Sequence, residues 1–127
     1  MTESESNVYM RAGGMPAFKR LAAAFYAGVA GDPVLRPLYP ESLTQAEENL
    51  ALFMAQYFGG PPIYSQQRGH PRLRMRHLPF AIGRRERDAW VKQMLAALDE
   101  AGIEELIRSE MQAYFEDAAT FLMNQDR

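Results

Sequence analysis

In the stretch MPAFKRLAAAFYAGVA, residues 15–30, the apolar side chains Phe18, Leu21, Ala22, Phe25, Tyr26 and Val29 recur at i, i+3, i+4, i+7, i+8 and i+11. That period gathers them on one face of a helix and does not suit a strand, whose faces alternate every second residue. Gly13-Gly14 supply a permissive turn from a short preceding segment, and Gly31 ends the helix. Asp32-Pro33 predicts a capped short helix, which Pro37 and Pro40 limit to one or two turns. Ser42-Leu43-Thr44-Gln45 has the capping-box pattern and predicts a further helix. Its face is Leu43, Ala46, Leu50, Phe53, Met54 and Tyr57, and Gly59-Gly60-Pro61-Pro62 stops it.

Residues 61–83 hold four prolines and two glycines, so they predict a mostly irregular connection with a short helical segment from Leu73 to His77. A loop of that length inside a compact domain is usually functional or disordered. Two longer helices follow. Arg84 to about Ala101 is expected to bury Trp90, Val91, Met94, Leu95 and Leu98, and about Ile103 to Met123 to bury Ile107, Met111, Tyr114, Phe115, Ala118 and Leu122. Gly102 between them predicts an antiparallel pair. No alternating strand and no internal repeat is visible, so the fold class is all-α: four main helices and one long, ordered loop.

At 127 residues the chain suits one domain, which buries roughly two thirds of its unfolded surface. The polar leader MTESES places a flexible tail at residues 1–7 before a domain at 8–127. It matches neither a secretory signal nor an Arg-rich transit peptide, and no apolar run approaches the roughly 20 residues that cross a bilayer. A soluble, cytoplasmic protein without a membrane partner is the expectation. With no cysteine, disulfides, thiolate metal sites, iron–sulfur clusters and covalent haem attachment are all excluded.

Charge is unevenly spread. Residues 68–87 carry seven of the fourteen basic side chains and one acid, Glu86, whereas residues 99–117 carry seven acids and one base, Arg108. Within the basic region, RGHPRLRMRHLPF (68–80) contains four arginines and both histidines. Three accounts stand open on residue type: a solvated loop, a phosphate-binding strip with Tyr64 and Phe80 as stacking rings, or the rim of a pocket for an anionic cofactor. Against nucleic acid stand a net charge of −2 and the lack of a recognition-helix or RNA-binding motif.

His77, among apolar neighbours at the end of a short segment, is the residue type that ligates haem iron, although a lone histidine is more often surface-exposed or hydrogen-bonded. His70, between Gly69 and Pro71, is a weaker candidate. Two histidines seven residues apart with no cysteine match no common zinc spacing. Trp90, Tyr26 and Tyr39 each bring a polar hydrogen into apolar surroundings, which calls for a partner there. No nucleophile elbow, P-loop or paired-carboxylate motif competes.

The blocks AFYAGVAGDPVLRPLYP (24–40) and FMAQYFGGPPIYSQQRGHPRLRMRHLPFAIGRRERDAW (53–90) resemble the truncated haemoglobins of the second group, an oxygen-binding bacterial globin subfamily. The likeness runs from about residue 8 to 124. It implies a truncated globin fold, a two-over-two helical sandwich around a noncovalent haem b. By resemblance His77 is the proximal iron ligand, Tyr26 and Tyr39 the distal hydroxyls, and Trp90 the distal indole. Ala46 stands where ordinary globins have the distal histidine. Leu50, Phe53, Met54, Leu73, Phe80, Ile82 and Met94 correspond to haem contacts, and Tyr64 and Arg76 to propionate partners. Asn49 departs from the family, in which a basic residue is frequent. The implied function is reversible binding of dioxygen, nitric oxide or carbon monoxide, as in oxygen transport. Nitric oxide dioxygenation, peroxidase-like chemistry, an external reductase and a homodimer are left open by the resemblance. A cofactor-free helical module that uses residues 68–87 on an acidic partner or nucleic acid is the alternative.

Overall fold

Glycine 13 turns the chain at φ 117, a left-handed conformation that disfavours side chains, and so lets a first short helix run directly into a long one. In the computed structural model, which describes residues 7–125, α1 spans Val8–Ala12, α2 Gly14–Ala30, α3 Thr44–Tyr57, α4 Ile63–Arg68, α5 Leu73–His77, α6 Arg84–Glu100 and α7 Glu105–Phe121. A 3₁₀ turn covers Arg36–Leu38, and the described residues include no strand. Apart from Asn7, the tail expected at residues 1–7 lies outside the described residues, as do the last two residues of the expected domain. Among the described residues, no helix is long and apolar enough to cross a membrane.

The buried face of α2 comprises Ala17, Phe18, Leu21, Ala22, Phe25, Tyr26 and Val29, the stripe that its period predicts. With α3 it forms one layer of the sandwich, and the α6–α7 pair forms the other. The core between them is closed by Met54, Met94, Leu98, Met111 and Phe115, all nearly inaccessible. Gly28 permits a close approach of α6: a Cβ there would collide with Oε1 of Gln93. That approach brings Gln93 to Asp32 at the end of α2, where its Nε2 donates to Oδ2 at 2.9 Å.

Asp32 is buried, and its Oδ1 also accepts from the backbone amides of Val34 (2.8 Å) and Leu35 (3.1 Å). The Gln93 bond, offset in part by burial and helped by the two amides and Lys92, holds its carboxyl below the usual range. A carboxyl held low stabilises the fold above its unfolded pKa of about 3.9, and the contribution disappears as pH falls through the lower folded value. Asp32→Ala is expected to cost about 2 kcal/mol at neutral pH, since charged capping bonds are lost. Urea unfolding should show that gap to wild type narrowing as pH falls below about 4, and a pH-independent gap contradicts the assignment.

Three local expectations are corrected. Ser42 does not close a capping box: Leu43 occupies the N-cap of α3, Ser42 Oγ accepts only a long bond from the Thr44 amide (3.5 Å), and Gln45 reaches forward to Asn49 (3.0 Å). A capping carboxylate stands instead at α6, where Glu86 Oε1 accepts from the Gly83 amide at 2.9 Å. Residues 63–68 are helical rather than irregular, because Gln56 of α3 clamps Ser65 through both its amide atoms, accepting from Ser65 N at 2.9 Å and donating to Ser65 Oγ at 2.7 Å. Finally, Trp90, Tyr114, Ala118 and Leu122 are half-buried rather than core residues, since they wall a cavity. Leu95 is half-buried as well.

Candidate functional site

The layers do not close completely. Between the 3₁₀ turn and helices α2, α3, α5, α6 and α7 lies a cavity of about 330 Å³, within the range of small-molecule and cofactor sites. Thirteen of the fourteen site residues expected from the sequence line it: Tyr26, Tyr39, Ala46, Leu50, Phe53, Met54, Tyr64, Leu73, Arg76, His77, Phe80, Ile82 and Trp90. The exception is Met94, which is fully buried in the helix-packing core and does not reach the cavity wall. Asn49 also lines it, in place of a base. The α7 wall of Tyr114, Phe115, Ala118, Ala119 and Leu122 was not anticipated, nor were Phe25, Leu35, Leu38, Pro40, Glu86 and Arg87. The available signal was the apolar stripe of α7, which reads equally well as core.

His77 sits in the last turn of α5, with its Nδ1 2.6 Å from the Leu73 carbonyl oxygen. A carbonyl only accepts, so Nδ1 carries a proton, and the tautomer this selects has its lone pair on Nε2. This carbonyl contact is the kind of outer partner that orients a ligating imidazole. Several bonds fix the short helix that carries it. Arg72 opens α5 at φ 46, the one non-glycine residue with positive φ among the described residues, and its amide donates to His70 Nδ1 at 3.0 Å. His70 thus shapes a turn. Arg76 donates from Nε to the Pro71 carbonyl (2.7 Å) and from Nη2 to that of Arg68 (3.2 Å), tying α5 back to α4. Beyond α5, Asn124 grips the chain after His77: its Nδ2 donates to the carbonyl of Phe80 (2.8 Å), and its Oδ1 accepts from the Ile82 amide (2.9 Å). No local sequence signal marks Asn124, whose role arises only from the packing of α7 against the loop.

A polar group of three side chains occupies another part of the wall. The rings of Tyr26 and Tyr39 meet edge to face with centroids 5.4 Å apart, and the Tyr26 hydroxyl and the Trp90 indole, both donor groups, act on the Tyr39 phenol. Burial pushes the Tyr39 phenol up despite those two donors; burial and the neighbouring Tyr39 push Tyr26 up further. Both hydroxyls therefore stay protonated at neutral pH. Tyr39 thus keeps its own proton to donate. Arg36 positions this residue by donating to the carbonyls of Tyr39 (3.2 Å), Pro40 (3.0 Å) and Glu41 (2.7 Å).

The described residues contain no cluster of three or more His, Cys, Asp or Glu that could hold a metal ion. The cavity wall offers one imidazole, which suits a metal carried within a cofactor that needs a single protein ligand. The donor set fits haem: one imidazole with its lone pair on Nε2, apolar walls and a basic residue, Arg76, beside the histidine. Four of the seven arginines of the basic region are engaged within the protein: Arg76 and Arg87 bond to backbone carbonyls, and Arg68 and Arg74 lie over the rings of Tyr64 and Phe121. The cofactor-free binding module is unsupported.

The family model described as bacterial-like globin matches residues 7–124. Among curated relatives, Group 2 truncated hemoglobin YjbI of Bacillus subtilis (strain 168) is 42% identical over 106 residues, 84% of this chain and 80% of that protein. The crystal structure of a hemoglobin from Chloroflexus aurantiacus superposes with a TM-score of 0.92 at 55% identity, covering 95% of this chain and 100% of the other. A thermostable hemoglobin from Thermobifida fusca gives 0.92 at 48% identity, with 95% and 99% covered.

Proposed function

This chain belongs to the bacterial-like globin family, among the truncated haemoglobins of the second group, and from that premise we propose that it holds a noncovalent haem b on His77 and binds dioxygen reversibly. It is a haem-based gas-binding protein; the ligating atom, the pocket roles and the haem type are the proposal. The observation that carries the reading is the Nδ1–Leu73 contact, which leaves Nε2 free to coordinate in a largely apolar cavity. Haem iron with one protein ligand supplies an open coordination place for dioxygen, nitric oxide or carbon monoxide.

The protein does the rest. Leu50, Phe53, Met54, Leu73, Phe80 and Ile82 would exclude water from a haem bound in the cavity, and Ala46 would leave room where a larger side chain would crowd a ligand. Tyr39 would offer a hydrogen bond to a bound gas, with the donor groups of Tyr26 and Trp90 acting on the same phenol. Arg76 has Nη1 left for a propionate, since Nε and Nη2 are bound to carbonyls, and Tyr64 offers a hydroxyl beside it. The chain has no flavin or nicotinamide motif, so return from the ferric state draws on an external reductase in the cytoplasm.

Protein reconstituted with haem is expected to show a Soret band that shifts reversibly with dioxygen and with carbon monoxide after reduction. Colourless, folded protein that fails to take up added haem refutes the reading. Trp90→Phe should speed dioxygen release about fivefold, as expected from losing one hydrogen bond of about 1 kcal/mol. Stopped-flow displacement by carbon monoxide measures it; an unchanged rate removes Trp90 from the ligand's support.

A further inference from the structure

Seven large apolar side chains among the described residues stand exposed, and four of them, Met75, Leu78, Phe80 and Phe121, gather around the segment that carries His77. The Arg74 guanidinium lies 5.3 Å from the centroid of the Phe121 ring, which joins α5 to the end of α7, and Asn124 just beyond that end holds the Phe80 carbonyl. Scattered singly, such side chains are ordinary; clustered, they mark an interaction surface. The rim of the cluster is basic. Arg72, Arg74, Arg84 and Arg85 are exposed, and none of the four makes an ion pair with a described residue. Arg84 meets Thr120 and Met123 at the end of α7, in a hollow whose carboxylate, Asp88, is already paired with Arg87. Arg84 and Arg85 also stand in the first turn of α6, where the helix dipole disfavours cations, a cost that an anionic partner relieves.

We propose that this surface docks a small acidic protein that carries one electron and returns ferric iron to the ferrous state. The inference rests on the haem reading above and gives the reductant that it calls for a chemistry and a place. An apolar centre within a charged rim is the anatomy of a protein interface, and redox encounters use the smallest of these. Four guanidinium groups without acidic partners steer an acidic protein toward the apolar centre and repel a basic one. The position suits electron transfer, because Phe80 is 41% exposed and also lines the cavity, so that one side chain belongs both to the docking surface and to the cofactor's wall. The carrier loses one electron, the iron gains it, and no bond is made or broken. A lipid surface fits less well: the four apolar residues come from α5, the loop after it and the end of α7, not from one amphipathic helix face. A second copy of the chain would have to bring the acids of residues 99–117, at the far end of the α6–α7 pair, in a head-to-tail contact that does not close.

The probe is a plant-type ferredoxin, a small acidic iron–sulfur protein. Added in its oxidised form to isotopically labelled, haem-loaded protein in the ferrous carbon monoxide state, it is expected to give saturable amide shifts at Met75, Leu78, Phe80 and Phe121 that fade as salt is added. In stopped flow, reduced ferredoxin should reduce the ferric protein, and the double variant Arg74→Glu/Arg84→Glu should be reduced at least about tenfold more slowly at low salt, a gap that closes to about twofold at high salt. Leu78→Ser should weaken the binding at low and high salt alike. Both variants should keep the Soret band and the carbon monoxide spectrum, since none of the three residues lines the cavity. Shifts that map elsewhere, no saturable binding, or a charge-reversed variant within about twofold of wild type at low salt overturns the docking surface alone. So does a cluster whose signals move with the protein's own concentration and not with ferredoxin, which assigns it to a second copy, or one that answers only to phosphatidylserine vesicles, which assigns it to lipid. Failure of the wild type to acquire a Soret band refutes the haem reading and the docking with it.

Discussion

His77→Ala protein is expected to purify folded and nearly colourless, with the Soret band lost. The helix that carries the residue is only five residues long and contributes no buried side chain, so truncation at its end leaves the two helical layers intact. What disappears is the nitrogen whose lone pair the Leu73 carbonyl fixes. Disturbing an outer partner of a metal-bound histidine costs about 10–100-fold in affinity, and removal of the ligand itself should cost more. Imidazole added to the variant should enter the vacated volume and restore the band. This rescue separates a lost ligand from a collapsed pocket. Unfolding by urea should remain within about 1 kcal/mol of wild type, because a half-buried surface-helix side chain anchors little apolar area. An undiminished Soret band in His77→Ala means that the iron is held elsewhere.

The framework of this fold was largely legible in local sequence. Helix α2 buries the stripe that its period predicts because nothing but a helix places Phe18, Leu21, Phe25 and Val29 on one side. The glycines and prolines between elements also kept their meaning, as Gly13 and Gly102 both sit at positive φ between helices. Helix α4 was hidden because its stabilising contact, Gln56 to Ser65, crosses nine residues and competes with the strong turn signal of Pro61-Pro62. The site was less legible than the framework. Periodicity cannot distinguish an apolar face that meets another helix from one that walls a cavity. For this reason Tyr114, Ala118 and Leu122 read as core, although they line the pocket. The converse holds for Met94: one turn beyond Trp90 on α6, it shares the general face of that residue but packs into the fully closed part of the sandwich. Asn124 shows a further limit, since a polar residue near the end of a helix looks like solvent-exposed punctuation until the tertiary fold lays the His77 loop across it. The resemblance, rather than any local pattern, brought Tyr26, Tyr39, Trp90 and His77 together.

Removing Tyr39 and Trp90 together should accelerate dioxygen release by about 30-fold, far more than the single substitutions imply when added. Two neutral hydrogen bonds of about 1 kcal/mol each account for that factor. The reason for non-additivity lies in the grouping of donors: the Trp90 indole and the Tyr26 hydroxyl act on the Tyr39 phenol, which offers its proton to the ligand. Tyr39→Phe removes that proton but leaves the Trp90 indole, a neighbouring donor that is costly to leave unpaired and therefore turns to the ligand. Release in this variant should stay within about twofold of wild type, because one donor replaces another of similar strength. Trp90→Phe loses the support without a substitute, giving the fivefold effect above, and the double variant loses both the donor and its substitute. The cycle therefore yields a coupling of about 1 kcal/mol, as expected for groups joined in one network. Singles that sum to the double show that each side chain meets the ligand independently, and the hydroxyl at position 39 then ceases to be the hub.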